Sequence, residues 1–345
     1  MAVDLADVLG IRAPVESPYP WQRGEDAASW LAAVQEAGRA LGAGPLAQDL
    51  AALAALELAD GLVETVGRER MLGELLRTLH EPGWICQGFK GTCAVTCAEV
   101  HLAERQPKRY LSLVAGLLSP AGEAILPGGE VLRRDEERMT WDRAEGDRGP
   151  VSRLFQAAAM EAAEPDEDYD NQQDAMTTPD GRPIPGAGID LHAFDRLLEA
   201  LTGRQWAVLT DRHAALVAAL GLDPSTVGDL GRDAPAIIAR SVAAGEVCFA
   251  TLDAPAGVAP DDPVLVDLLQ QPHMVRVHGC DGTWVYYDDP VDPAHPWLVQ
   301  GGGEPLDRYG RCRMPAGDFF GALVELSYLP DFLQLPVAGS VSTPG

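Results

Sequence analysis

At 345 residues the chain has material for one large domain or two medium ones, each with its own core. Apolar residues make up 46%, yet no uninterrupted apolar run approaches the ~20 residues that span a bilayer, so no membrane role is expected. A net charge of −26 with a pI near 4.5 repels nucleic acid over a Debye length of about 8–10 Å, and no basic patch interrupts it.

The opening "MAVDLADVLG" lacks the basic start and apolar run of a secretory signal, which predicts a cytoplasmic protein or one exported by another route. Residues 1–23 carry "APVESPYPW" and read as an extended arm. A helix follows from Asp26 as N-cap, with Trp30, Val34, Ala37 and Leu41 on one face and "GAG" as its stop. Pro45 opens a second helix over "PLAQDLAALAALELADGLVETVG", and a third covers Arg70 to Leu79. Residues 1–80 are thus predicted to be an arm and a helical lobe.

Residues 81–335 are expected to form the main domain. It opens on "WICQGFKGTCAVTCAEVHLAE", whose periodic part predicts a helix beginning at Cys93. A helix over "PKRYLSLVAGLL", a strand pair around "EAILPGGEVLRR" and a helix over "VSRLFQAAAMEAA" come next. From 161 to 187 the chain is acidic and rich in turn formers, with no Lys or Arg between Arg153 and Arg182; it reads as a mobile loop or insertion. Beyond it lie a helix ended by Gly203, a strand "WAVLT", a helix near "APAIIARSVAAG" and a strand "EVCFATL". The hairpin "HMVRVHGCDGTWVYYDDP", a late helix near "GDFFGALVELSYL" and a disordered tail over 336–345 complete an α+β layout.

Cysteines stand at 86, 93, 97, 248, 280 and 312, and in so long a chain they read as reduced thiols rather than a disulfide framework. Cys93, Cys97 and His101 recur every four residues, and with Cys86 would give four soft ligands. On one helix, however, they spread along about 12 Å of axis, too far to converge on one ion. No metal or other cofactor is expected. Cys86, Cys97, Cys248 and Cys312 read as core, and His101 as a surface or helix-end residue.

Cys93 differs because it follows the glycine loop "QGFKGT" and begins a helix. Free N–H groups and the positive end of the helix dipole there favour thiolate over thiol. The N–H of a nucleophilic cysteine and a side-chain amide such as Gln87 could together hold an oxyanion. A base and its orienter follow from hairpin arithmetic. A symmetric hairpin centred on Asp281 places His273 opposite Asp289, close enough for Nδ1–H to bond the carboxylate, and sends Asp288 to the other face. His278 lies beside the turn with no carboxylate opposite, and His80, His101, His192, His213 and His295 have no comparable partner.

With these residues in hand, "QGFKGTC" resembles the Gln-five residues-Cys signature of papain-like cysteine peptidases. His273, followed sixteen residues later by Asp289, is similar to that superfamily's His and Asn/Asp pair. The ending "VYYDDP" looks most like the bacterial branch containing the leader peptidase domains of bacteriocin-exporting transporters. The resemblance spans Trp84 to Val299 and implies a papain-like α+β fold acting on a protein or peptide substrate. Ala94 departs from the tryptophan that often follows the cysteine, no Asn-Ser-Trp-Gly follows the acid, and the Cys–His separation is long, as an inserted acidic segment would make it. Cleavage of peptide bonds through a thioester is the expected activity. A glutamine deamidase or transglutaminase-type bacterial effector or toxin using the same residues is the alternative, and a non-catalytic binding module the third.

Overall fold

The computed structural model describes residues 3–13, 17, 19, 24–88, 90–135, 138–140, 146–165, 169, 171, 175–177, 183–185, 188–210, 228–253, 272–291, 303–307 and 310–331. The tail over 336–345 lies outside them, as does most of the acidic segment. Among the described residues the chain is mixed α+β, with eleven α-helices and an antiparallel seven-stranded sheet.

The arm is not wholly extended. Helix α1 (Leu5–Val8) is capped by Asp4, which accepts from the Ala6 N–H, and it buries Leu5 and Ala6 against α2 (Ala27–Gly42). The periodicity of α2 holds: Asp26 caps it, and Trp30, Val34 and Ala37 are buried. The second predicted helix is instead broken into α3 (Ala47–Ala52), a short 3-10 turn and α4 (Asp60–Thr65). The Arg68 guanidinium supplies a reason, since it donates to the carbonyls of Leu53, Ala54 and Leu56 at 2.9, 3.0 and 2.6 Å, groups that a continuous helix would use internally. Helix α5 (Arg68–His80) follows.

Helices α6 (Cys93–Arg105) and α7 (Pro107–Leu118) lie where the periodicity puts them. Strands β1 (Glu123–Ile125) and β2 (Val131–Arg133) pair across the "PGG" turn. Helix α8 (Pro150–Ala163) is buried along nearly its whole length. Within the acidic segment, β3 (Ala175–Thr177) pairs with β4 (Pro183–Pro185), so part of the stretch read as a loop is a hairpin. Helix α9 (Leu191–Thr202) ends at Gly203, whose φ of 65° is the left-handed cap that glycine adopts without strain.

The main sheet joins β5 (Ala207–Thr210), β6 (Cys248–Leu252), β7 (His273–Cys280), β8 (Trp284–Asp288), β9 (Glu304–Pro305), β10 (Arg311–Pro315) and β11 (Leu323–Tyr328) in the order β5-β11-β6-β7-β8-β10-β9. The late helix is a second correction. Only α11 (Ala316–Ala322) is helical; "LVELSY" becomes β11, bonded on both sides by β5 and β6. Its alternating pattern fits a strand, and pairing on two sides overrides the helical reading of an apolar run.

Alternation along the strands divides the interior. Phe249 and Met274 face α6, α8 and α9 in a core that continues to Leu5 of α1. Ala250, Leu252, Val275 and Val277 face the other way, onto α10 (Leu230–Ala243) and α11. Helix α6 packs on β7, which brings the amino end of α6 to the rim of the sheet where β7 begins and β8 ends. No helix among the described residues is long and apolar enough to cross a membrane.

Candidate active site

Three separate segments meet at that rim. Cys93 is the first residue of α6 and is half-buried, whereas Cys86, Cys97, Cys248 and Cys312 are buried as expected. His273 opens β7 and Asp289 follows β8, both nearly inaccessible. The imidazole Nε2 and the Asp289 Oδ1 are 2.8 Å apart. This corrects the expected Nδ1 contact. With Nε2 on the carboxylate, Nδ1 is the ring nitrogen left for the sulfur.

Electrostatics tie the three together. Burial opposes ionisation of the Cys93 thiol, but a hydrogen bond and charge from His273, with the N–H groups of Met274 and Ala94, outweigh it and lower its pKa. Burial likewise opposes the imidazolium of His273, yet the charge and hydrogen bond of Asp289, and then Cys93, raise it to about 10. Each group therefore favours the charged form of the other, thiolate on Cys93 and imidazolium on His273.

The register that produces this contact differs from the symmetric hairpin. Arg276 pairs with Asp288 and Val277 with Tyr287, whereas nearer the turn Gly279 pairs with Tyr286 and Cys280 with Val285. One extra residue, His278, is bulged between the two stretches. Continuing the outer pairing puts Asp289 beside Val275, diagonal to His273 and on the same face of the ribbon. Continuing the turn-side pairing without the bulge would set Asp289 opposite Arg276 and send its carboxylate to the other face. Deleting His278 should therefore leave the dyad intact, because the outer pairing then follows from the turn without a bulge. Cys93 alkylation within about threefold of wild type is the expected result; loss of reactivity in a folded deletion variant would contradict it.

Backbone contacts fix the rim. The Asp289 N–H donates to the Gly310 carbonyl at 2.7 Å, and Asp289 Oδ1 also accepts from the Val291 N–H at 3.0 Å. Gly310, at φ 78°, passes so close that a Cβ there would lie 2.4 Å from the Asp289 carbonyl oxygen, so no other residue fits. The Gln87 N–H donates to the Pro290 carbonyl at 2.9 Å, docking the loop ahead of Cys93 onto the end of β8. The Gln87 side chain is buried, and its Nε2 donates to the Lys90 carbonyl at 2.8 Å within that same loop.

Two other histidines are placed differently from expectation. His278 does meet a carboxylate, with Nε2 3.4 Å from Asp288 Oδ1, because the bulge turns it that way. Asp288 also pairs with Arg276 at 2.5 Å, on the opposite side of the ribbon from the dyad. His101 is buried rather than at the surface, edge-on to Trp206 and Phe249. Among the described residues no group of three or more potential metal ligands is assembled. A cleft of about 380 Å³ opens beside Asp289, between Glu104, Arg105, Arg276, Asp288 and Arg311; neither Cys93 nor His273 lines it.

Sequence reading missed the backbone participants, Met274 and Pro290, because a main-chain donor or acceptor leaves no residue-type signature. It also missed Gln156, whose amide reaches the cysteine loop from α8. A lone polar residue in the apolar run "LFQAAAM" is the signal that marks it. Compared with protein-family models and with curated proteins, this chain matched nothing.

Proposed function

We propose that the protein is a cysteine-dependent hydrolase that cleaves peptide bonds in a protein or peptide substrate, with the helix-on-sheet arrangement as a papain-like fold. The observation that carries this reading is the half-buried thiol at the start of α6, in contact with an imidazole whose Nε2 is held at 2.8 Å by a buried carboxylate. The Cys93 thiolate attacks the carbonyl carbon, and the oxygen takes the negative charge. His273 gives its Nδ1 proton to the departing amine, and Asp289 keeps the ring oriented and its charge balanced. Water, deprotonated by the same imidazole, then hydrolyses the thioester.

Donors for the oxyanion are the Cys93 N–H and the Gln87 amide. A side-chain amide carries two hydrogens, and the one directed at Lys90 fixes the orientation of the other. The test is incubation of wild type and Cys93→Ala with peptide and protein mixtures, read by mass spectrometry. Cleavage products from wild type alone are expected, with activity falling to background in the variant. Equal activity of the two would remove the mechanism. A shift of about one mass unit in an intact protein, with no cleavage, would instead assign the same thioester chemistry to glutamine deamidation.

A further inference from the structure

The loop from Cys86 to Thr92 leads into the nucleophile, and its two ends share one side chain. Gln156, fully buried on α8, accepts from the Thr92 hydroxyl at 2.9 Å and donates to the Cys86 carbonyl at 3.1 Å. Its amide cannot flip without breaking both, and a third bond, to Glu99 Oε2 at 2.9 Å, locks that orientation. Glu99 is in turn held by the Tyr110 hydroxyl at 2.7 Å, and Arg148 reaches Gln156 Oε1 at 3.5 Å. None of these groups meets solvent, so the bonds are not diluted by water.

We infer that Gln156 is a positioning residue: it clamps both ends of the 86–92 loop so that the Gln87 amide and the Cys93 N–H converge on one oxyanion. The inference rests on the hydrolase reading and deepens it. Spacing between two donors on one loop is set by how its ends are fixed. A displacement of about 1 Å in such donors costs up to about a hundredfold in rate. Gln156 touches neither sulfur nor substrate, so its removal should affect only reactions that develop charge on oxygen.

Two reagents separate these effects. In acylation by p-nitrophenyl acetate, the sulfur bonds to the carbonyl carbon, an oxyanion forms, and p-nitrophenolate leaves with the C–O electron pair. In alkylation by iodoacetamide, sulfur displaces iodide from carbon and no oxyanion arises. Acylation is followed by release of p-nitrophenolate above a Cys93→Ala control, and alkylation by intact mass, in wild type and in Gln156→Met, which keeps the length and apolar bulk. Acylation is expected to fall about tenfold or more while alkylation stays within about twofold of wild type. Thr92→Val, which cuts one end of the clamp, should show the same split at smaller size, and Thr92→Ser should restore wild-type acylation. Should Gln156→Met fail to fold, Thr92→Val and Thr92→Ser decide alone. Parallel loss of both rates, or no loss of either, overturns the clamp and leaves the hydrolase reading standing. A wild-type protein that is alkylated but never acylated at Cys93 overturns both.

Discussion

Replacement of His273 by alanine is expected to slow alkylation of Cys93 at pH 6 by about a hundredfold or more, in line with the usual contribution of a positioned acid–base partner. In the folded protein the imidazolium offsets the burial that would otherwise keep the thiol protonated. Without it, the thiol loses the largest influence that opposes burial, and its pKa rises. The wild-type rate should be nearly flat across the neutral range. Its acid limb reports protonation of the coupled pair rather than of either residue. The variant's rate should climb steadily into the alkaline range. Cys280, the other half-buried thiol, is first replaced by serine so that intact mass reports one site. Asp289→Asn should have a milder effect in the same direction, because it keeps a hydrogen bond to Nε2 but removes the charge that raises His273. A His273→Ala protein alkylated as fast as wild type at pH 6 would show that the thiol is activated by its helix end alone.

The second large effect concerns stability. His101 is buried among Trp206 and Phe249, and burial, with Arg276, Arg105 and Arg204 adding to it, lowers its pKa to about 3. The unfolded chain binds a proton there near pH 6.5, whereas the folded chain does not. The folded state is therefore favoured above pH 6.5, and that advantage is lost as the pH falls towards 3, at up to about 1.4 kcal/mol per pH unit. Between pH 6.5 and 5 the loss from this group is about 2 kcal/mol. Glu99 has the opposite sign: burial raises it to about 7, so its contribution is present below its unfolded value and lost as the pH rises through 7. The two windows overlap, and only a difference measurement isolates His101. Unfolding free energies from urea titrations at pH 6.5 and 5 should fall by about 2 kcal/mol more in wild type than in His101→Leu. Identical slopes would mean that the imidazole is hydrated in solution.

The juxtaposition of Cys93, His273 and Asp289 was more legible than the fold around it, for a physical reason. Cys93, His273 and Asp289 announce themselves through local chemistry: a glycine loop before a periodic helix, and a ribbon closed by a strong turn. Even so, the ribbon arithmetic assumed an uninterrupted ladder. It reached the carboxylate that His273 contacts through a register displaced by two residues, which preserves the face where a displacement of one would not. The ring nitrogen was wrong because residue spacing carries no information on tautomer or rotamer. Interior helices α2, α5, α6 and α7 were readable from periodicity, since each presents a continuous apolar face. The break between α3 and α4 depends on Arg68 arriving from farther along the chain, and β11 depends on partners at β5 and β6. Such long-range pairings leave no mark on the segment itself. His101 was misplaced for a related reason: its pocket is made by Trp206 and Phe249, a hundred or more positions away.

The bulge at His278 also bears on how relatives of this chain should be sought. Sixteen positions separate His273 from Asp289, and one of them is a spare link that contributes no rung to the ladder. A homologue with a regular hairpin would reach the same juxtaposition over fifteen positions. A pattern that insists on a single interval between base and acid would discard such a sequence, although its geometry at the rim would be the same. The informative signature is the parity of rungs counted outward from the turn, with both intervals admitted.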